Sequence, residues 1–242
     1  MAEPFIRNYR LSPLGDRALV IELGADASEQ TAFHVRCVSE RLLADALPGV
    51  LDVVPTVCTV ALHYDPLRIV PPDEATGAYA ALAQQVTARL QSMDSFEVAQ
   101  PSTFEVPVCY GGEYGEDLDG LARSHNLSVD QVIELHRAPL YRVQMLGFAP
   151  GFAYLAGLDA RLTTPRRPNP RTRVPAGSVA IGGELTGIYP LQLPGGWHLI
   201  GRSPLAMFDV KAQPPTRLNI GDHVRFVPIS PLEYARLVER VQ

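Results

Sequence analysis

Proline and glycine are spread unevenly along the chain. Residues 1–100 hold 7 Pro and 4 Gly, whereas residues 101–242 hold 15 of each. Proline is excluded from helix interiors and central strands, and glycine weakens both. The second part is therefore not a helix bundle. It is also too rich in Val, Ile, Leu, Phe and Tyr to stay disordered. A turn-rich β domain remains, preceded by a more conventional α/β piece.

Other features narrow the class. No apolar run reaches the length of a membrane-spanning helix. The opening MAEPFIRNYR has no continuous apolar core of a signal peptide. Cys37, Cys58 and Cys109 are odd in number and far apart, with neither metal-ligand spacing nor a disulfide framework. A reducing cytoplasm is the expected location. The net charge of −5 argues against a general nucleic-acid role. Of the 21 basic residues only Lys211 is lysine. It lies in a plain DVKAQ context, which gives no support to lysine chemistry.

The expected class is α+β: a small N-terminal α/β sandwich over residues 1–95, then a β domain over 101–242. In the first, strands are expected at 18–23, 50–54 and 57–63, with a further short one around Tyr9–Leu11. A helix over 28–47 has Ser28 as N-cap and Val35, Val38, Leu42 and Ala46 on one face. A second helix runs from about Asp73 to Leu90 on Ala75, Tyr79, Leu82 and Val86. A polar linker is expected at 92–102. In the second domain, 103–109 reads as a strand, followed by two short helices. The later helix has Ser128 as N-cap, Gln131 three residues on, and Val129, Val132, Ile133 and His136 on one face.

The stretch 147–203 concentrates charge. It has six arginines (161, 166, 167, 171, 173 and 202) against Asp159 and Glu184, a balance of +4 inside an acidic chain. Such a patch suits an anionic ligand or an acidic partner. Gly147, Gly151, Gly177, Gly182, Gly183, Gly195, Gly196 and Gly201 lie among its aromatics. Glycine there serves either a loop-built ligand site or the tight corners of a compact barrel.

These residues also carry a resemblance. VCYGGEYGEDL (108–118), ELH (134–136), MLGFAPGFAYLAGL (145–158), PRR…PR…VPAGSVAIGG (165–183), TGIYP (186–190), PGGWHLIGR (194–202) and FD…GDHVRFVPI (208–229) occur in order. Together they resemble the 5-oxoprolinase B-subunit family, which includes the KipI kinase inhibitor and proteins labelled allophanate hydrolase subunit 1. The resemblance implies a cyclophilin-like β-barrel after the α/β unit. It implies two partners: the KipA-type C subunit of 5-oxoprolinase, of related fold, and its LamB/YcsF-type A subunit. It implies cleavage of 5-oxo-L-proline to L-glutamate at the expense of ATP. Two alternatives stand beside this: a non-enzymatic inhibitor of a sensor histidine kinase, and the small half of a biotin-dependent carboxyltransferase.

No GxxxxGK[ST] loop, GxSxG elbow or metal-ligand cluster accompanies the resemblance. The chain is therefore expected to form a half-site, inactive alone. Mg·ATP is expected in the assembled complex, on this chain or on one of its partners. The candidate catalytic residues are His136, Arg167 and Ser178. The candidates for binding a small anionic substrate are Phe148, Gly151, Arg166, Arg171, Arg173, Thr186, Tyr189, Trp197 and His198.

Overall fold

The structure is a computed structural model and describes residue 6 and residues 8–73, 75–93 and 100–241. The chain divides into two compact units at Gln100/Pro101. Much of the expected linker, residues 94–99, and with it the expected domain end at residue 95, lies outside the described residues.

The first unit is a four-stranded antiparallel sheet with two helices. Its strands are β1 (Arg10–Pro13), β2 (Ala18–Glu22), β3 (Val50–Pro55) and β4 (Thr59–Tyr64), in the order β1-β2-β4-β3. Leu19 and Ile21 of β2 lie opposite Leu62 and Val60 of β4, so their side chains share one face. Helices α1 (Glu29–Ala44) and α2 (Ala78–Gln91) cover that face with Val35, Val38, Leu42, Leu82, Val86 and Leu90.

Both helices are shorter than the sequence suggests. The Ser28 hydroxyl accepts from the Thr31 N–H at 3.3 Å and starts α1 as expected. The helix stops at Ala44, however; Ala46 is exposed and Leu47 takes its place in the core. At the other helix, Asp73 Oδ1 accepts from the Ala75 and Thr76 N–H groups at 3.0 and 2.8 Å. That turn competes with helix, as short acidic side chains do. Helix α2 begins five residues later, after Gly77, and Ala75 stays exposed.

The second unit is a closed barrel with strand order β10-β7-β6-β13-β5-β12-β9. The strands are β5 (Thr103–Tyr110), β6 (Tyr141–Leu146), β7 (Ala153–Ala156), β9 (Ser178–Gly182), β10 (Leu185–Ile188), β12 (His198–Arg202) and β13 (His223–Pro228). A separate ribbon pairs β8 (Arg171–Val174) with β11 (Leu193–Gly195). Strands β5 and β13 run parallel, and the other barrel pairs are antiparallel. Val106, Val143, Leu155, Val179, Ile181, Ile200 and Phe226 belong to the barrel core. Helices α3 (Leu118–Ser124) and α4 (Val129–Arg137) pack Leu118, Leu121 and Val132 against the same core. The expected capping box of α4 is present, with Ser128 N–H to Gln131 Oε1 at 2.8 Å and Gln131 N–H to Ser128 Oγ at 3.1 Å.

A C-terminal helix, α5 (Pro231–Val241), was not anticipated. Its signature is nonetheless in the sequence. Ser230 and Glu233 form a reciprocal cap at 2.8 and 3.3 Å, and Pro231 occupies the first helical position. No described helix is long and apolar enough to cross a membrane.

Candidate functional site

The loop before α3 places Asp117 against the barrel edge. Strand β5 has ended at Tyr110, and beyond it Asp117 takes over as neighbour to β12. Its backbone N–H donates to the Leu199 carbonyl at 2.9 Å, and its Oδ2 accepts from the Leu199 N–H at 2.7 Å. The same carboxylate gathers two of the expected site arginines. Arg171 donates from Nη1 to Oδ2 and from Nη2 to Oδ1, each at 2.8 Å, and Arg167 donates from Nη1 to Oδ1 at 2.9 Å. Arg171 also reaches Glu116 at 3.3 Å. Burial raises the Asp117 pKa, but the hydrogen bonds from Arg171 and Leu199 and the charges of both arginines outweigh it. The carboxyl is held below its ordinary value.

Much of the local positive charge is therefore neutralised inside the protein. Arg161 pairs with Asp159 at 2.7 Å. Arg166 and Arg173 are exposed and form no ion pair with a described acid.

A cleft of about 470 Å³ opens beside this hub, lined by Glu116, Asp117, Asp119, Arg123, Arg167 and His198 among others. Three carboxylates and two guanidiniums line it, and the Arg171 guanidinium bonded to Asp117 and Glu116 brings the local formal charge to zero, with histidine neutral. His198 Nε2 lies 2.9 Å from the Pro165 carbonyl. That oxygen can only accept, so Nε2 carries a hydrogen and Nδ1 of the neutral ring is left as an acceptor. Arg123, exposed on α3, has no described acid as partner. The sequence motifs pointed to neither Asp117 nor Arg123. Asp117 lies inside the quoted YGEDL motif, but nothing local announces partners 50 and 54 residues away.

The other expected residues fall in different places. His136 is fully buried in the barrel core, stacked on Phe226 at 4.6 Å. Its Nε2 is 2.9 Å from Thr186 Oγ1, which in turn donates to the Ala180 carbonyl at 3.0 Å. The Thr186 oxygen must then accept from Nε2–H, which leaves Nδ1 to accept from the Tyr110 hydroxyl at 2.8 Å. Burial pushes the His136 pKa down to about 3. This histidine is a neutral, fully bonded link in the core, away from solvent. Ser178 is also fully buried, with no partner for its Oγ among the described residues.

Tyr189, Trp197 and Phe152 form a buried aromatic cluster outside the barrel sheet. The Phe152 ring meets Tyr189, Trp197 and Tyr154 edge-on at 5.2, 5.6 and 4.8 Å. Several glycines admit these rings. A Cβ on Gly182 would come within 2.5 Å of Trp197, and one on Gly195 would strike the Tyr189 hydroxyl. Gly151 is held at φ 80° against Phe208 and the Met207 carbonyl. Phe148 alone of these aromatics points out, at 61% exposure. The structure thus joins Arg167, Arg171 and His198 at one cleft. It joins Phe148, Arg166, Tyr189 and Trp197 at an aromatic cluster. It does not bring His136, Thr186 or Ser178 to either surface.

The family match places the chain among carboxyltransferase-type domains. The family model described as carboxyltransferase domain, subdomain C and D, matches residues 9–218. The chain is 39% identical to the 5-oxoprolinase B subunit of Bacillus subtilis (strain 168) over 229 residues, covering 93% of this chain and 95% of that protein. It is 40% identical to the 5-oxoprolinase B subunit of Escherichia coli O157:H7 over 220 residues, covering 89% and 94%. The chain belongs to the 5-oxoprolinase B-subunit family. The crystal structure of TTHA0988 superposes with a TM-score of 0.76 at 39% identity, covering 88% of this chain; this chain spans only 40% of that one. The crystal structure of the Kluyveromyces lactis urea carboxylase shares the fold, with a TM-score of 0.72 at 20% identity over 96% of this chain and 22% of that one.

Proposed function

We propose that this chain is the B subunit of a cytoplasmic, ATP-dependent 5-oxoprolinase. It would act beside the KipA-type C subunit and the LamB/YcsF-type A subunit in opening 5-oxo-L-proline to L-glutamate. The observation that carries this reading is the identity to curated B subunits across nearly the full length of both chains.

The geometry supports a half-site. The cleft holds cations and acceptors for a small polar molecule but no paired nucleophile and base. Arg123 is available for a substrate carboxylate, and the free His198 Nδ1 for a lactam N–H. Arg167 and Arg171 act through Asp117 to hold the cleft wall. His136, with Thr186, braces the barrel.

Mg·ATP fits the cleft poorly. With Arg171 counted against the Asp117 and Glu116 that it bonds, the local formal charge of the cleft is zero, so the cleft offers no surplus of positive charge. A polyphosphate needs a surplus of donors and positive charge. We therefore assign nucleotide binding to a partner in the complex, and to this chain only the binding and orientation of substrate.

The test is reconstitution: purified subunits with 5-oxoproline and ATP, glutamate release being measured with and without this chain. Release that does not need this chain overturns the reading. A second reading, the small half of a biotin-dependent carboxyltransferase, draws support from the family model itself and from a 22% identity to a yeast urea amidolyase. Carboxylation of urea in the presence of a biotin carrier and carboxylase would favour it.

A further inference from the structure

The cleft beside the Asp117 hub keeps two charges that its wall does not consume. Once Arg167 and Arg171 are set against Asp117 and Glu116, Asp119 and Arg123 remain. They stand four residues apart on α3, so they project from one face of the helix about one turn apart. Both are exposed, and neither forms an ion pair with the other or with any further described residue. Gly120 lies next to Asp119 on the same helix and lines the same cleft. Glycine weakens a helix, and here packing does not require it. Apart from the helix backbone, a Cβ on Gly120 would meet only Arg123 Nη2, at 3.9 Å. Its effect is to leave the cleft open between the anion and the cation.

A carboxylate and a guanidinium held apart in a cleft of zero formal charge complement a zwitterion. 5-Oxo-L-proline meets only half of that demand. Its carboxylate suits Arg123, but its lactam N–H is uncharged and leaves Asp119 without a cation. Ring opening supplies the missing charge. The C–N bond breaks, the oxygen of water goes to the carbonyl carbon, and the nitrogen keeps its hydrogen and gains both protons of the water. The product then carries an ammonium beside its α-carboxylate, one for Asp119 and one for Arg123. The His198 Nδ1 offered to the lactam N–H can accept from the same nitrogen after it opens.

We propose that this cleft binds α-amino acid zwitterions, with Asp119 on the ammonium and Arg123 on the carboxylate, and so holds the product L-glutamate more tightly than the substrate. The identity of the product rests on the 5-oxoprolinase reading. Asp119 is then the residue that sets product inhibition, slowing the complex as glutamate accumulates.

Titration calorimetry of the purified chain with L-glutamate, N-acetyl-L-glutamate and 5-oxo-L-proline tests it. L-Glutamate should bind at least ~10-fold more tightly than either of the others, because neither carries an ammonium. Asp119→Asn should melt as the native chain does and lose ~10-fold for L-glutamate, while its affinity for 5-oxo-L-proline is unchanged. Gly120→Ala should melt higher and still bind L-glutamate more weakly, its methyl group narrowing the cleft. Native affinity for L-glutamate in Asp119→Asn overturns the zwitterion site and leaves the 5-oxoprolinase reading standing. Equal binding of L-glutamate and its N-acetyl form by the native chain, or no binding of L-glutamate at all, does the same. Binding of L-glutamate that needs Asp119, in a chain whose reconstituted complex releases no glutamate from 5-oxo-L-proline, keeps the site and overturns the 5-oxoprolinase reading.

Discussion

Arg171 forks onto Asp117 with two bonds of 2.8 Å, and the same carboxylate receives Arg167 and the Leu199 N–H. One acid thus ties α3, the β8–β11 ribbon and β12 together. Its side chain is only 11% exposed, and that of Arg171 only 19%. Asp117→Ala leaves Arg167 without its acceptor and Arg171 with only Glu116, and should cost about 2–4 kcal/mol. Urea unfolding of the barrel unit's signal checks this. Arg171→Lys should recover only part of the fork, because an ammonium donates from a single point.

Asp117 also sets an acid limit. Its folded pKa lies below the ordinary 3.8, so the ion pairs stabilise the native state above that value and are lost as pH falls through the lowered one. Asp117→Asn should remove that component of acid unfolding below about pH 4.

His136 acts in an adjacent window. The unfolded chain takes up a proton near pH 6.5, whereas the buried ring resists protonation until about 3. Acid therefore favours the unfolded state across that interval. Stability should be level above pH 6.5 and then decline toward a limiting slope of about 1.4 kcal/mol per pH unit. His136→Gln should flatten this slope, read from denaturant midpoints across the pH series.

Glycine spacing around the sole tryptophan gives a packing test. Gly182→Ala drives a methyl into the Trp197 ring and should destabilise by about 1–3 kcal/mol, with a shift in tryptophan fluorescence. Gly183 has nothing within 4 Å of its would-be Cβ, although its φ is 66°. Gly183→Asn should therefore be nearly silent, since asparagine tolerates that region.

The cleft is tested by residues that hold nothing else up. Arg123→Ala should leave the melting temperature unchanged and lower kcat/KM for 5-oxoproline in the reconstituted complex ~10- to 100-fold, the equivalent of one hydrogen bond to a charged group. Most of that loss should appear in KM.

Local signals were legible in the sequence, and long-range ones were not. Ser128 and Gln131 announced α4 because a cap is written within four residues. The excess of glycine and proline after residue 100 announced short strands and tight corners. Arg167 and Arg171 read as free charge because their acids, Glu116 and Asp117, precede them by some 50 residues. The glycines around Trp197 read equally well as a ligand loop, since only the folded sheet brings Gly182, Gly187 and the ring together. The helix expected from Asp73 starts late for a local reason, the Asp73 side chain capturing the Ala75 and Thr76 N–H groups.

The central claim is that this chain completes a 5-oxoprolinase. Titrating it into fixed amounts of the KipA-type and LamB/YcsF-type partners with ATP, 5-oxoproline and a glutamate assay tests that most directly. The expected result is no glutamate without the chain and a rise that saturates at a fixed stoichiometric ratio. Glutamate release at full rate before any chain is added, or none at any ratio, would contradict it.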